Sequence, residues 1–444
     1  MNNYSKMSFN FGPTLLSWME THHPEVYGAI IDTDKETRRS FSGHGSAIAQ
    51  VYNHMIMPLA NRRDKKTQVR WGVADFESRF GRRPEGMWLP ETAVDLETLD
   101  ALAEASIEFT LLAPHQAAMV RRIGEEEWYN VEGGRIDTRR PYLCSLPSGR
   151  SISVFFYDRL ISHAVAFEGL LNNGEAFAKR LVAGFTDEEG AQLVNIATDG
   201  ETYGHHHRHG NMALAYCLDH IESNKPARMT NYGEFLERSP PRFEVRIVEN
   251  TSWSCAHGVE RWRSNCGCSS QQAAGSSQAW RRPLRDAMNW LRDELATLYE
   301  TEASKHLLNP WNARDEYISV VLEQREGSAN RFVSGHLKTG RLQDRKKSVL
   351  DLLEMQRYAM LMFTSCGWFW DEVSRIETVQ ILRYAARAMQ LARAVTGADL
   401  EPQFVRMIEA APSGNPRLLN GGGVYRILVK PAVVENVGRH KGGL

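Results

Sequence analysis

Three observations predict an α/β fold followed by a helical domain. Between residues 68 and 118 the chain alternates helix-like and strand-like segments, the same rhythm returns between residues 174 and 223, and beyond about residue 270 long helical patterns dominate. Alternation of this kind marks parallel βα units. In "QVRWGVADFESRF", Val69, Val73 and Phe76 recur at helical spacing. "GRRPEG" breaks that helix, and "MWL" reads as a short apolar strand. After the loop "PETAVD", the segment "LETLDALAEA" is a helix with Asp95 as its N-cap, and "IEFTLLAP" is the next strand. Further on, "GEAFAKRLVAGF" predicts a helix, "QLVNIAT" a strand and "NMALAYCLDHIES" a helix, with "DGETYGHHHRHG" as the loop between them. "FEVRIVENTSW" is a further strand, trailing into "SCAHGVERWRSNCGC".

The helical part opens with "PLRDAMNWLRDELATL". Pro283 is expected at the first helical position, and Leu284, Ala287, Leu291, Leu295 and Leu298 share one face. "SVLDLLEMQRYAMLMF" and "ETVQILRYAARAMQLARAV" are also helical, and the basic run "DRKKS" is a solvated helix start. A short strand, "VYRILVKPAVV", is expected near the C-terminus. The most linker-like stretch is "SSQQAAGSSQ", which places the domains at 1–268 and 271–444.

Composition narrows the function classes. Lys and Arg number 53 against 54 Asp and Glu, for a net charge of -1, without the basic excess of a nucleic-acid binder. No apolar run reaches the roughly 18 residues a membrane span needs, and "MNNYSKMSFNFG" lacks a secretory pattern. The six cysteines are few for 444 residues, so a reducing, cytoplasmic setting with free thiols is expected. Eleven tryptophans and fifteen histidines suit a carbohydrate or small-molecule cleft.

In barrels of βα units the chemistry sits on loops that follow strand C-termini. Glu91 in "GMWLPETAVD" and Asp199 in "ATDGETYG" both fall at such places. A glycosidic bond can be broken by two carboxyl groups, one attacking or activating water and the other protonating the leaving oxygen. An isolated Glu after a strand can equally cap a helix or pair with a cation. His205, His206, His207 and His209 offer metal ligands, sugar hydrogen bonds or plain surface. Cys255, His257, Cys266 and Cys268 form C-x-H-x8-C-x-C, which reads either as a metal loop or as a rigid wall of the cleft with Trp253 and His257 facing substrate.

"MWLPE" and "TDGETYG" together resemble two signature regions of glycoside hydrolase family 57. "HGSAIAQVYNHMIMPLA", which contains His44 and His54, resembles a third. "SWSCAHGVERWRSNCGC" and "SCGWFWDEVSRIETVQ" resemble a bacterial branch with a long helical C-terminal extension. The resemblance implies an incomplete (β/α)7 barrel and a retaining α-amylase, glucanotransferase or branching enzyme acting on α-1,4-linked glucans or maltooligosaccharides. By motif position Glu91 is the nucleophile and Asp199 the general acid/base, with Glu201 the neighbouring charge that helps hold a proton on Asp199. The substrate-binding residues expected around this pair are His44, His54, Trp88, Tyr203 and His205, joined by Trp253, His257, Glu201 and Trp368. No cofactor and no metal ligand are assigned. The family's opening His-Gln-Pro type motif is missing, so the barrel is expected to lack its N-terminal strand and to be incomplete.

Two other readings stand beside this one. A metal-dependent polysaccharide deacetylase would use Asp199 and the cluster His205–His209 with a bound divalent ion. A non-catalytic glucan-binding fragment would keep the cleft without a full active site.

Overall fold

The computed structural model describes residues 2–269, 277–323, 325, 327–338 and 342–434, so the linker-like stretch around 269–278 lies largely outside the described residues. The chain divides into two compact units, Met1–Tyr52 with Asp75–Trp253 and Asn53–Ala74 with Ser254–Leu444. This departs from the boundary near 268: the first unit ends at Trp253, and a stretch from early in the chain joins the second.

The strands of the first unit are β1 (Ala49–Gln50), β2 (Met87–Trp88), β3 (Phe109–Leu112), β4 (Ala117–Arg122), β5 (Tyr129–Asn130), β6 (Tyr142–Ser145), β7 (Ser151–Phe156) and β8 (Phe243–Ile247). Five segments run parallel in an arc. Phe9 bridges Ala47, β1 pairs with β2, Gly86 bridges Phe109, and β3 pairs with β7. Gly86 is required there, because a Cβ would meet the Phe109 ring at 2.3 Å. Beyond β7 the pairing turns antiparallel to β6, and the six-stranded sheet runs β3-β7-β6-β8-β4-β5. The expected α/β content is present, but the described strands form a mixed sheet and a parallel pair, not seven parallel strands.

Helices α1 (Pro13–His22), α2 (Pro24–Ser40), α3 (Arg62–Phe80), α4 (Leu96–Glu104), α5 (Arg159–Phe167), α6 (Gly174–Val182), α7 (Gly210–Asn224) and α8 (Tyr232–Arg238) complete this part of the chain. Asp95 caps α4 as expected, accepting from Thr98 N at 2.8 Å. Helices α5, α6 and α7 pack through Ile161, Val165, Phe177, Leu214 and Leu218. Phe109, Leu111 and Phe155 of the sheet pack against Tyr232 and Phe235 of α8.

The expected strand "QLVNIAT" is an extended segment without a ladder. Its contacts to the end of β7 run largely through a side chain. Asn195 Nδ2 donates to Phe156 O at 3.2 Å and to Thr138 O at 3.1 Å, while Asp158 N donates to Asn195 O at 2.8 Å. Two backbone N–H groups of the segment also find partners outside any ladder, Leu193 N at Arg139 O (2.8 Å) and Ala197 N at Ser162 Oγ (3.2 Å).

The start of the arc is held by a buried ion pair. Arg82 Nε and Nη2 each donate to the Asp34 carboxylate at 2.8 Å, and Arg82 Nη2 also donates to Ala47 O at 2.8 Å. Asp34 Oδ1 accepts from Ala47 N at 2.9 Å. The pair thus holds both backbone polar groups of Ala47, two residues before β1, the N–H through Asp34 of α2 and the carbonyl through Arg82.

In the second unit, α9 (Arg281–Ala303), α10 (Pro310–Glu316), α11 (Ile318–Leu322), α12 (Ser328–His336), α13 (Leu342–Leu361), α14 (Cys366–Phe369), α15 (Ile376–Thr396) and α16 (Glu401–Ile408) follow one another. Leu284, Leu291 and Leu295 of α9, Leu352 of α13 and Leu382 of α15 are fully buried, as the helical spacing requires. Pro283 is the third residue of α9, not the first, still within the turn where a missing N–H costs nothing. The stretch Asn53–Ala74 belongs here because of buried polar bonds. Arg314 Nη1 donates to Asp64 Oδ1 at 2.7 Å, and Trp71 Nε1 donates to Asp315 O at 2.9 Å.

The C-terminal strand expected in "VYRILVKPAVV" is instead helical. Asn420 caps α17 (Gly421–Val424), a π-turn spans Tyr425–Val429, and α18 (Lys430–Val434) follows. The π-turn ends two residues before Pro431. A proline cannot donate to the fourth carbonyl back and crowds it, so the helix widens locally, and Lys430 N bonds to Tyr425 O.

Removing one member of a buried ion pair costs about 3–5 kcal/mol. Asp34→Ala should therefore lower the unfolding free energy by about that much in urea melts. A loss under about 1 kcal/mol would show that the pair does not anchor the arc.

Candidate active site

Strand β2 ends at Trp88, and after Leu89 a tight turn begins at Pro90, held by Thr92 N to Leu89 O at 2.8 Å and Ala93 N to Pro90 O at 2.9 Å. Glu91 and Thr92 adopt left-handed backbone, with φ of 57° and 50°. Two such residues in a row cost on the order of 1–3 kcal/mol each, so their surroundings must hold them. Trp253 does so from the chain that follows β8. Its backbone N–H donates to Glu91 O at 3.0 Å, and its indole Nε1 donates to Glu91 Oε2 at 2.9 Å. The indole meets Trp88 edge-on at 5.1 Å and Tyr157 at 6.1 Å between ring centroids.

All three loops share one partner, the fully buried side-chain amide of Gln116. Gln116 Oε1 accepts from Ala113 N at 2.8 Å in the turn after β3. Its Nε2 donates to Thr92 O at 2.8 Å and to Thr251 O at 3.1 Å, while Val248 N donates to its backbone carbonyl at 2.7 Å. The neighbouring His115 donates from Nε2 to Ser252 O at 3.0 Å. Burial lowers the His115 pKa, opposed by that bond and reinforced by Arg159, so a neutral ring is favoured.

Asp199 begins a single 3-10 turn, Gly200–Thr202, and its side chain makes no capping bond to it. The residue keeps accessible surface, yet its carboxyl is crowded by protein. Its pKa rises to about 6, first through desolvation and then through the negative charges of Glu91 and Glu201. Tyr157, at the end of β7, is buried and lies within the fields of both Arg159 and Asp199. Glu91, Asp199, Trp88, Trp253 and Glu201 are thus brought together, with Tyr157, His115, Arg159 and Gln116 as members that sequence reasoning missed. Their signal was position. His115 and Tyr157 stand just past β3 and β7, as Glu91 stands past β2.

Other expected residues lie elsewhere. His44 is fixed between Glu85 and Glu237, with Nδ1 at 2.9 Å and Nε2 at 3.0 Å from their carboxylates. Glu85 precedes β2 whereas Glu91 follows it, so His44 sits at the other end of the parallel arc and does not reach substrate at Glu91. Tyr203 packs on the α5–α7 core, its hydroxyl accepting from Thr198 Oγ1 at 3.0 Å. His205 is exposed and its ring lies 5.0 Å from that of His206, while His207 Nε2 bonds the Ala166 carbonyl at 2.8 Å. The histidine run does not converge into a metal-holding group among the described residues.

Three expectations fall in the second unit. His54 Nδ1 bonds Ser365 Oγ at 2.6 Å. His257 lies 3.4 Å from Cys268 Sγ. Trp368 is completely buried and stacked on Trp280 at 6.4 Å, so it is core and cannot stack on a sugar ring.

Residues 3–247, more than half of the chain, match the family model described as glycosyl hydrolase family 57, and residues 277–441 match a domain of unknown function, DUF3536. Over 198 residues the chain is 26% identical to an α-amylase of Dictyoglomus thermophilum, covering 45% of this chain and 26% of that protein. Over 86 residues it is 33% identical to a 1,4-α-glucan branching enzyme of Thermococcus kodakarensis, covering 18% of this chain and 12% of that one. The chain thus spans about a quarter or less of the length of these relatives. An exo-type maltose-forming amylase from Pyrococcus sp. ST04 has a similar fold, with a TM-score of 0.71 at 16% identity over 97% of this chain and 82% of that one.

The clamp is testable by itself. Gln116→Leu keeps the volume but strands the Ala113 N–H and the Thr92 carbonyl, at about 1–3 kcal/mol per buried group. Chemical denaturation should show a loss in that range or above. An unchanged midpoint would mean that the three loops hold their places without the amide.

Proposed function

This chain belongs to glycosyl hydrolase family 57, and from that membership we propose that it cleaves or transfers α-1,4-linked glucans by a retaining mechanism using two carboxyl groups. Glu91 is the nucleophile and Asp199 the general acid/base. The parallel arc is read as the retained part of an incomplete (β/α)7 barrel, and the names of the α-amylase and branching-enzyme relatives suggest the substrate class.

The observation that carries the reading is the electrostatic coupling of Glu91 to an Asp199 whose pKa is raised to about 6. A carboxyl group that keeps its proton toward neutral pH beside a second carboxyl is what the acid role requires. Asp199 delivers its proton to the glycosidic oxygen as the bond to the anomeric carbon breaks. Glu91, aimed by the indole of Trp253, attacks that carbon from the opposite side. Water or a sugar hydroxyl then gives its proton to Asp199 and releases the glycosyl group, so the acceptor decides between hydrolysis and transfer. The rings of Trp88, Trp253 and Tyr157 supply apolar surface for a pyranose face.

Product analysis of a maltooligosaccharide ladder tests this directly. Glu91→Gln and Asp199→Asn should each reduce turnover by at least about a thousandfold while circular dichroism stays unchanged. Near-parental turnover by either variant removes its role. A parent chain that binds the ladder and turns none of it over replaces catalysis with glucan binding.

A second expectation concerns pH. The Glu201 charge helps raise Asp199, so neutralising it must lower the pKa of Asp199. In Glu201→Gln the alkaline limb of kcat/KM should move to lower pH, because the acid loses its proton sooner. An unmoved limb would mean that Glu201 does not act on the acid.

A further inference from the structure

The loop between Val248 and the start of α9 contains a group of side chains that the glucan chemistry does not use. Cys255, His257, Cys266 and Cys268 each direct one ligand atom to a common point, and those four atoms all lie within 4.8 Å of one another. Cys255 Sγ stands 4.0 Å from Cys266 Sγ and 3.8 Å from Cys268 Sγ, and Cys268 Sγ stands 3.4 Å from His257 Nδ1. A tetrahedral zinc ion with bonds of about 2.3 Å to sulfur and about 2.0 Å to nitrogen sets sulfurs about 3.8 Å apart and sulfur from nitrogen about 3.5 Å. All three cysteines are free thiols, and their separations are far from the roughly 2.05 Å of a disulfide.

We propose that Cys255, His257, Cys266 and Cys268 form a structural zinc site, a closed Cys3His set that binds one ion per chain. Three thiols and a neutral imidazole are the donor chemistry of zinc, and four protein ligands leave no open position for a substrate. Binding releases the three thiol protons to solvent and leaves a site of net charge -1.

The local structure supplies what such a site needs. Gly267, between two of the ligands, has φ of +80°, the left-handed conformation that turns a C-x-C pair tightly. Gly258 N donates to Cys255 O at 3.1 Å and closes the other turn. Backbone N–H groups of His257 and Arg261 point at Cys255 Sγ, and that of Ala256 points at Cys268 Sγ. Apolar packing of thiols does not call for such donors, whereas thiolates bound to a metal do. Arg281, fully buried, places Nη1 3.9 Å from Cys266 Sγ. Gln278 Oε1 accepts from both Gly267 N and Arg281 Nη1 at 3.1 Å, tying the ligand loop to the start of α9. Arg281 also donates to the carbonyls of Trp368, Phe369 and Trp370. The ion would thereby pin a loop with little regular structure to the helical core of the second unit.

The full chain, expressed with added zinc and purified without chelator, should carry about one zinc per chain by elemental analysis. Cys268→Ser should lose it, whereas Cys366→Ser, which removes an exposed thiol outside the group, should retain it. Cobalt exchanged into the parent protein should give the charge-transfer band of thiolate ligands and the visible bands of a tetrahedral ion, a readout that does not depend on how the variants fold. Chelation should lower the melting temperature of the parent and spare that of Cys268→Ser. Zinc below about a tenth of an equivalent in the parent, zinc retained in Cys268→Ser, or a disulfide among these cysteines by non-reducing mass spectrometry would overturn the proposal. None of these readouts involves glucan turnover, so the site stands or falls independently of the proposed reaction.

Discussion

The geometry of the candidate site depends on one buried amide. Gln116 has a single carbonyl and a single NH2 group, and both are used to tie together the turns after β2, β3 and β8. The turns after β2 and β8 also meet directly through the Val94–Thr251 bridge and the Trp253 N–H to Glu91 O bond, and Gln116 adds the turn after β3 to that pair. The clamp also explains how left-handed backbone is tolerated at two successive non-glycine residues. Glu91 is held from outside by both polar groups of Trp253, and Thr92 by the Gln116 amide. A carboxylate fixed in this way has little freedom to turn toward a helix end or a surface cation, the ordinary fates of a glutamate after a strand.

Much of the candidate site was legible because its two carboxylates sit in short, contiguous motifs, Glu91 just past β2 and Asp199 after a segment that joins no ladder. "MWLPE" and "DGETYG" carry their own context, and the strand-end rule singles out Glu91, whereas Asp199 was reached through a strand that the structure does not form. Residues that act alone were not legible. Tyr157 and His115 belong to no motif, and only strand pairing shows that they share an end with Glu91. His44 illustrates the opposite failure. It lies close in sequence to β1 and inside a region that resembles a family signature, yet it precedes the strand, where Glu85 and Glu237 capture it. Trp368 failed for another reason. An aromatic in a helical segment is equally at home in a core, and burial decides the matter.

The helices were read well, since long amphipathic patterns carry a strong period. Short apolar runs were not. "QLVNIAT" became extended chain because Asn195 bonds β7 through its side chain, and "VYRILVKPAVV" became helical despite its β-branched residues because Asn420 caps it and Pro431 is absorbed by a π-turn. The stretch 53–74 joined the helical unit through Asp64 and Trp71, buried polar contacts that no local pattern announces.

The charge of Glu91 raises the pKa of Asp199, and that influence is conditional on Glu91 being an anion. In the proposed reaction, bonding to the anomeric carbon turns Glu91 into a neutral ester. The field that kept a proton on Asp199 then weakens at the moment the proton has been given away. With that charge gone the Asp199 pKa falls, so Asp199 stays ionised after giving up its proton, the form a general base needs in the second half of the cycle, and releasing the sugar restores the original field. In the proposed reaction the covalent state of Glu91 thus biases the protonation state of Asp199, on top of the larger effect of burial.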